Sequence, residues 1–339
     1  MNTFASRLII SSSPRLVRLS KRATYDSLTT TTYRAMATST TSASPSLGPA
    51  PWRKLFLEHI QTMPSPEFTL STVRKTSSGA TTMTDYAPRA RTCVFRGLFA
   101  GLPANPKNEA RLNPPGVYES DLPAFTTDRR MDKMAELFGT GDEREKTTTA
   151  TATATGDEGE KIADGSGGGA PVEAVFWAKE TGTQWRVRGR AYVLAPDVED
   201  SAAGKEVVAT LLARMRRLKK TDADADGWSF RREITAHFGN LSPLMRGSFR
   251  NPPPGTPVAL PVGDGRLGLG QKVTDLEDGV ARANFRVVVV VPEGVDRTDL
   301  SDPERGRRWL YTYVGGGRSE PRAPGGVVED GWETVEVWP

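Results

Sequence analysis

The chain has a single cysteine, Cys93, and only two histidines, His59 and His237, among its 339 residues. One cysteine can form neither an internal disulfide nor a cysteine metal cluster. The two histidines are far apart in the sequence, and neither belongs to a metal-ligand motif. These absences disfavour a zinc enzyme and a Ser-His-Asp hydrolase.

Long hydrophobic runs are also missing. No apolar run is longer than that of Val287 to Val291, which is far shorter than the roughly 20 residues that a membrane-spanning helix needs. We therefore expect no membrane partner.

Excess positive charge is confined to one end of the chain. Residues 1–45 have a net charge of +5, which leaves −1 for residues 46–339 out of the total of +4. A body without net positive charge gives no support to binding of a nucleic-acid backbone. We therefore expect no nucleic-acid partner.

The N-terminal residues 1–48 are rich in Ser, Thr and Arg and almost free of acids. Interleaved basic and apolar residues of this kind are typical of a mitochondrial transit peptide. The alternative is a disordered tail without a targeting function. Met36 could serve as a second start, and a protein begun there would lack most of the basic segment and stay in the cytoplasm.

Residues 139–171 form a second stretch without a hydrophobic period, rich in Thr, Gly and charged residues. This composition predicts a flexible insertion. The remaining sequence is predicted to form one domain, residues 49–339, which contains this insertion.

The folded part combines many short strands with a few helices. Helical spacing of apolar residues predicts helices over 51–63, 129–138 and 205–220. Alternating or continuous apolar runs predict strands over 68–75, 90–100, 172–180, 184–195, 284–292, 307–314 and 332–339. This order predicts a mainly β fold, an antiparallel sheet or barrel with peripheral helices.

Two short motifs resemble ligand-binding loops but lack the required context. GDGRLG (263–268) matches the dinucleotide pattern, but a proline-rich loop precedes it where a strand is required. DADADGWSFRRE (222–233) places acids at calcium-loop positions, but Phe230 stands where an oxygen ligand is required. We therefore predict neither a dinucleotide site nor a metal site.

Arginines on the predicted strands are more informative. Arg91 and Arg96 in RTCVFRG (91–97) have an odd spacing, so they point to opposite faces of one strand. Strand 184–195 has a polar face formed by Gln184, Arg186, Arg188, Arg190 and Tyr192. Such a face is either simply solvated or, because guanidinium groups match phosphate oxygens, a set of donors for a bound anion.

Three motifs, RTCVFRG, FTTDRRMDKMAEL and VFWAKETGTQWRVRG, resemble in this order the pyridoxamine 5′-phosphate oxidase-like, FMN-binding split-barrel family. The similarity is greater to its less characterised branch, which also carries LSPLMRGSFRNPPPG and NFRVVVVVPEGVDRTDLS. It covers roughly residues 50–339, with 139–171 as an insertion. The resemblance implies an antiparallel split β-barrel, FMN as cofactor, and a homodimer with FMN at the two-fold interface.

The resemblance also implies roles for three cations. Arg91 matches the position that holds the FMN phosphate, and Lys133 would be a second phosphate contact. Arg96 matches a lysine that reaches the substrate phosphate in the oxidase proper. The two arginines of RTCVFRG would then bind two different anions.

Other cofactor contacts are implied in the same way. Thr127 matches a threonine that contacts flavin, and Asp128 lies beside it. Gln184 would hydrogen-bond the flavin ring region. Ser248 would lie near the cofactor, and Arg308 resembles the late arginine of the family near the flavin.

Three departures from the family pattern concern the cofactor and the substrate. Met131 stands where the family usually has a serine, and Glu304 and Gly306 replace the arginine and histidine that grip pyridoxal phosphate. Valines in 284–292 replace a tryptophan expected over the flavin. The FMN site is therefore better supported than a vitamin B6 substrate site.

Three functions remain open from the sequence. The first is an FMN-dependent oxidoreductase that transfers a hydride from a small, phosphorylated amine or other substrate to flavin. The second is a non-catalytic module of the same fold that carries FMN or a similar ligand. The third is a non-enzymatic interaction protein that uses its arginine face.

The composition of the N-terminus generates a prediction about localisation. A fluorescent reporter fused to residues 1–35 should enter mitochondria, because this segment is basic and almost free of acids. The same reporter fused to residues 36–48 is the control and should stay in the cytoplasm. A diffuse signal from the longer fusion in microscopy would contradict the prediction.

Overall fold

The structure is a computed structural model that describes residues 47–77, 84–139, 164–218 and 227–339. These residues fall within one compact unit, Ala43–Pro339. The predicted tail, apart from its last two residues, and residues 140–163 of the predicted insertion lie outside the described residues.

Eleven strands and six α-helices make up the described part of the chain. The strands are β1 (Glu67–Ser77), β2 (Thr84–Leu98), β3 (Tyr118–Ser120), β4 (Pro123–Asp128), β5 (Gly167–Ala178), β6 (Thr183–Leu194), β7 (Met215–Arg217), β8 (Phe285–Asp299), β9 (Arg307–Tyr313), β10 (Val327–Glu329) and β11 (Trp332–Val337). The helices are α1 (Arg53–Thr62), α2 (Lys133–Phe138), α3 (Ala202–Leu212), α4 (Phe230–Gly239), α5 (Pro243–Gly247) and α6 (Gly279–Asn284).

Six of the strands close a ring through antiparallel pairs in the order β8-β4-β2-β1-β5-β6 and back to β8. Strand β8 pairs with β4 through Phe285–Val289 and with β9 through Gly294–Asp299. Because β8 changes its neighbour halfway along, the ring is split on this side and β9, β11 and β10 extend from it. The predicted fold, an antiparallel split barrel with peripheral helices, is confirmed.

The valine run of β8 separates two hydrophobic cores. Val288 and Val290 point into the barrel, where α1 inserts Phe56 against Phe176 and Trp185. Val287, Val289 and Val291 point outward and pack beneath a second layer that includes helices α3 and α4. A strand buried on both faces reads as a continuous apolar run, as this one does.

A bend in the barrel wall lies where β6 crosses β8. Arg188 pairs with Gly294 and Gly189 pairs with Pro292, so Glu293 is an extra, bulged residue in β8. Gly189 is required at this crossing, because a Cβ there would lie 2.1 Å from the carbonyl oxygen of Val291.

Three predicted boundaries are wrong. The helix predicted over 205–220 ends at Leu212, and Met215–Arg217 form strand β7. This strand pairs with β3, and Arg216 stabilises the pair through ion pairs with Glu119 and Asp121. The flexible stretch predicted to end at 171 ends earlier, since β5 begins at Gly167 and pairs with β6.

The helix predicted over 129–138 begins only at Lys133. The residues before it form a turn, in which the Asp128 carboxylate accepts a hydrogen bond from the backbone N–H of Arg130 at 2.8 Å. Such a side-chain bond competes with helix formation. Among the described helices, none is long and apolar enough to cross a membrane.

The crossing at Gly189 generates a stability prediction. Gly189→Ala should destabilise the protein by at least about 2 kcal/mol, because the new methyl group overlaps backbone that cannot move without breaking the β6–β8 pairing. Gly263→Ala is the matched control, since nothing lies within 4 Å of its Cβ position. Equal midpoints for both variants in urea denaturation would refute the assignment.

Candidate functional site

A cavity of about 930 Å³ lies against the outer face of the barrel at β2 and β4. Thr92, Val94 and Arg96 of β2 line it, whereas Phe95 between them points into the barrel core. Thr126 contributes from β4, and the far wall comes from the α5 region and a proline-rich loop, residues 251–269. The cavity therefore lies mainly against the face of β2 opposite to the barrel core, and Cys93 of the other face also lines it.

A capped helix start positions the far wall of the cavity. The Ser242 hydroxyl accepts a hydrogen bond from the backbone N–H of Met245 at 3.3 Å. Pro243 occupies the first turn of α5, as is common at helix starts. The short helix that follows carries Met245 and, one residue after it ends, Ser248 into the cavity lining. The Ser248 hydroxyl donates to the Met245 carbonyl oxygen at 2.7 Å.

Arg91 and Arg96 point to opposite faces of β2, as their odd spacing predicts. The Arg91 guanidinium donates to Thr72 Oγ1 and forms an ion pair with Glu136 of α2, whose side chain is buried. Arg91 does not line the cavity, whereas Arg96 does. The sequence did not reveal Glu136 as the partner of Arg91, because the pairing joins elements that are distant in the chain.

Lys133 lines the cavity at the N-terminus of α2. Its Nζ lies 3.1 Å from Thr127 Oγ1 and 2.8 Å from Met131 Sδ. No carboxylate within the described ranges forms an ion pair with Lys133, and burial lowers the pKa of its ammonium group. A bound anion would offset the cost of this desolvation, because a nearby negative charge favours the protonated form of Lys133.

Asp128 and Arg130 form a clamp beside Lys133. Arg130 donates to both carboxylate oxygens of Asp128 and to the carbonyl oxygens of Phe249 and Asn251. The clamp ties the start of the 251–269 loop to β4. Asp128, predicted as a cofactor contact, thus has its charge balanced by Arg130, a residue that sequence reasoning missed although it lies within FTTDRRMDK.

His237 and Glu233 of α4 lie behind Arg96 and were not singled out from the sequence as functional. His237 Nε2 is 3.9 Å from Glu233 Oε1, and the other Glu233 oxygen accepts a hydrogen bond from Asn113 at 2.8 Å. Complete burial and the nearby charge of Arg96 lower the pKa of His237 to about 3. The imidazole is therefore neutral and does not add charge to the site.

Gln184 and Arg308, the two remaining predicted contacts, lie elsewhere on the molecule. Register pairs Gln184 with Thr298, and Thr298 with Arg308, so they form one row across β6, β8 and β9. The Arg308 guanidinium makes two hydrogen bonds to Asp296, at 2.7 and 3.0 Å. Neither predicted residue lines the cavity.

The predicted site residues thus divide into two groups within one chain. One group lines the cavity: Arg96, Thr127, Asp128, Lys133 and Ser248. Arg91 belongs to neither group: it lies outside the lining, and its positive charge helps to lower the pKa of Lys133. The second group is Gln184 and Arg308.

The arginine face of β6 is largely neutralised by neighbouring strands. Arg186 pairs with Glu173 at 2.7 Å and Asp296 at 3.7 Å, and Arg190 pairs with Glu293 at 3.1 Å. Of the three arginines on this face, only Arg188 has no ion pair within the described residues. It is the one that stays available as an anion donor.

Residues 49–195 match the family described as pyridoxamine 5′-phosphate oxidase, FMN-binding domain. This segment belongs to that family. It includes β1, β2, β4, α2 and β6, and so covers one wall of the cavity and Lys133. The cofactor of this domain family is FMN, as the resemblance implied.

Solved structures give more distant similarities. A pyridoxamine 5′-phosphate oxidase-related, FMN binding protein from Nostoc punctiforme is 17% identical, with a TM-score of 0.48, covering 86% of this chain and 100% of that one. PhzG from Burkholderia lata, in complex with tetrahydrophenazine-1-carboxylic acid, is 12% identical, with a TM-score of 0.36 and coverage of 84% and 90%.

General Stress Protein 26 from Bacillus anthracis is also similar, at 12% identity and a TM-score of 0.26, covering 71% of this chain and 92% of that one. No curated protein matches the chain.

The buried imidazole generates a prediction about pH. Because the pKa of His237 is about 3 in the folded protein and 6.5 ordinarily, the unfolded chain binds the extra proton between these values. Its contribution to stability is complete above pH 6.5 and is lost as the pH falls. Between pH 6.5 and 5 the free energy of unfolding should fall by about 1.5 kcal/mol more in the native protein than in His237→Gln.

Urea denaturation at several pH values measures this difference. His59→Gln is the comparison: burial also lowers the pKa of His59, but this side chain is only half-buried, so its removal should change the pH dependence less. Parallel stability-versus-pH curves for the native protein and His237→Gln would show that His237 is not held neutral.

Proposed function

We propose that the protein is an FMN-dependent oxidoreductase that takes a hydride from a small substrate. The observation that supports this most strongly is the cavity at β2 and β4, in which Lys133 has no carboxylate partner among the described residues and lies within the FMN-binding family segment. When bound, FMN would supply the redox chemistry by accepting the hydride.

The residues present fit the phosphate group of FMN. Lys133 offers a desolvated ammonium group, and the Thr127 hydroxyl lies 3.1 Å from it. Arg91 is close enough to influence the charge of Lys133, although its guanidinium also pairs with Glu136. Lys133 and Thr127 would hold the phosphate directly, and Arg91, outside the cavity lining, would add positive charge behind them. Met131 leaves one hydroxyl fewer than the family pattern offers.

A homodimer is part of the proposal. Gln184 and Arg308 lie in a row on the outer sheet, outside the cavity lining of their own chain. If they contact the flavin, as the resemblance implies, they would do so in the cavity of a second copy. The basic residues 1–35 further support a mitochondrial location.

A non-catalytic flavin-binding module is the second candidate. Within the described lining, Asp128 is neutralised by Arg130, and no histidine reaches the cavity. The protein would therefore offer little acid–base assistance to turnover. Anaerobic reduction of bound flavin by an amine or a reduced nicotinamide would distinguish the oxidoreductase from the module.

Titration of flavin-free protein with FMN tests the phosphate site. Lys133→Met should weaken FMN binding by about ten- to a hundredfold, because a charge-assisted contact is lost. Lys179→Met, an exposed lysine outside the cavity, is the matched control. Lys133 is the better test because Arg91→Ala would also leave Glu136 buried without its partner.

Mixed dimers test whether two subunits share the site. Lys133→Met and Arg308→Met should each bind FMN weakly as pure dimers. After the two variants are mixed and allowed to exchange subunits, one site in each mixed dimer is intact, so tight binding should return at half a flavin per chain in those dimers. No recovery after demonstrated exchange would show that Lys133 and Arg308 do not serve one site across the dimer.

A further inference from the structure

Arg96 is the one charged group in the described cavity lining that the proposed FMN site leaves uncommitted. Asp128 and Arg130 neutralise each other, and Lys133 is assigned to the FMN phosphate. No ion pair to Arg96 exists within the described ranges, and its buried Nε has no hydrogen-bond partner there. A guanidinium group stays protonated even when desolvated, so its charge needs an anion.

The protein behind Arg96 does not provide that anion. His237 is neutral, and the two carboxylate oxygens of Glu233 lie against His237 and Asn113. Burial raises the pKa of Glu233, which further weakens it as a counter-charge. The uncompensated charge of Arg96 is therefore available to a ligand in the cavity.

The walls around this charge are apolar. Leu241 and Phe249 line the cavity and belong to the outer hydrophobic core, and three consecutive prolines, 252–254, follow on the loop. The hydroxyl of Thr127 lies 3.1 Å from Lys133 Nζ, that of Ser248 donates to the Met245 carbonyl oxygen, and Arg130 already occupies the carbonyl oxygen of Asn251. Hydroxyl groups of Thr92, Thr126 and Thr256 also line the cavity. A ligand at Arg96 thus meets one cation in a mainly hydrocarbon setting.

The loop that closes the cavity exposes apolar side chains. Val258, Leu260 and Leu269 line the cavity, yet they are 102%, 55% and 79% exposed. Exposed apolar side chains grouped around a cavity indicate a surface that an apolar ligand would cover. The volume of about 930 Å³ is at the upper end of small-molecule sites, which leaves room for a cofactor ring and a second small molecule.

We infer that the cavity binds an apolar monocarboxylic acid, with its carboxylate on Arg96 and its hydrocarbon part against the 251–269 loop. This inference deepens the proposed function, on which it rests, by naming a substrate class. One guanidinium group matches one carboxylate through two parallel hydrogen bonds.

A phosphorylated substrate fits this environment less well. A phosphate dianion carries more charge and more acceptor oxygens, and leaving these without donors in an apolar site is costly. The carboxylate, with a single charge, needs only the donors that Arg96 has.

Three probes with the same ring test the inference on FMN-loaded, full-length protein: 1-naphthoate, neutral 1-naphthalenemethanol and 1-naphthyl phosphate. Calorimetry should show that naphthoate binds about ten- to a hundredfold more tightly than the neutral probe. Arg96→Met should remove this preference and leave binding of the neutral probe and of FMN unchanged. Arg231→Met, on the same helix as His237 but outside the cavity lining, should have no effect.

A second variant tests the apolar wall that the 251–269 loop forms. Leu260→Ser should weaken naphthoate and naphthalenemethanol by the same severalfold factor, because both lose the same apolar contact. Arg96-dependent binding of naphthyl phosphate that is tighter than that of naphthoate would overturn the carboxylate assignment. Equal binding of naphthoate and the neutral probe would overturn the role of Arg96.

Failure of this inference is distinguishable from failure of the proposed function. FMN retention is measured first from the absorbance of the purified protein. If FMN does not bind, the proposed function fails, and calorimetry on the flavin-free chain still tests whether Arg96 selects the carboxylate. If FMN binds and Arg96→Met changes nothing, only the inference is wrong.

Discussion

The separation of two cationic faces on one strand is the constraint on which the site depends. Strand β2 forms part of the barrel wall and of the cavity wall at once, so alternate residues face different environments. Arg91 turns to Thr72 and Glu136 at the side of the barrel core, and Arg96 turns to the cavity. An even spacing would place both guanidinium groups on the same side of β2. Either Glu136 of α2 would then lose its ion-pair partner or the cavity would lose the Arg96 guanidinium.

The second requirement is a strand that is apolar on both faces. The valines of β8 complete the barrel core with one face and support the outer layer with the other. That outer layer carries α4 and the elements leading to α5, and hence the far wall of the cavity. The fold therefore holds the two walls of the site in a fixed relation through a core that contains no polar group from β8 between Val287 and Val291.

Local patterns predicted the elements of this architecture well. The odd spacing of Arg91 and Arg96 and the alternation of 184–195 gave correct faces because strand geometry alone decides them. The β3–β7 pair and the start of α2 were not predicted, since ion pairs from Arg216 to distant acids and the Asp128 turn determine them. For the same reason Glu136, Arg130 and His237 gained significance only once the chain was folded.

The central claim, that this chain holds FMN in the cavity at β2 and β4 through Lys133, is tested most directly by the flavin content of purified protein. Native protein and Lys133→Met, prepared side by side with added FMN and freed of excess by gel filtration, should differ in bound flavin, which chromatography after denaturation would identify as FMN. Nearly one FMN per chain in the native protein and little in the variant is the predicted result. FAD in place of FMN, no flavin in the native protein, or equal FMN in both would contradict the account.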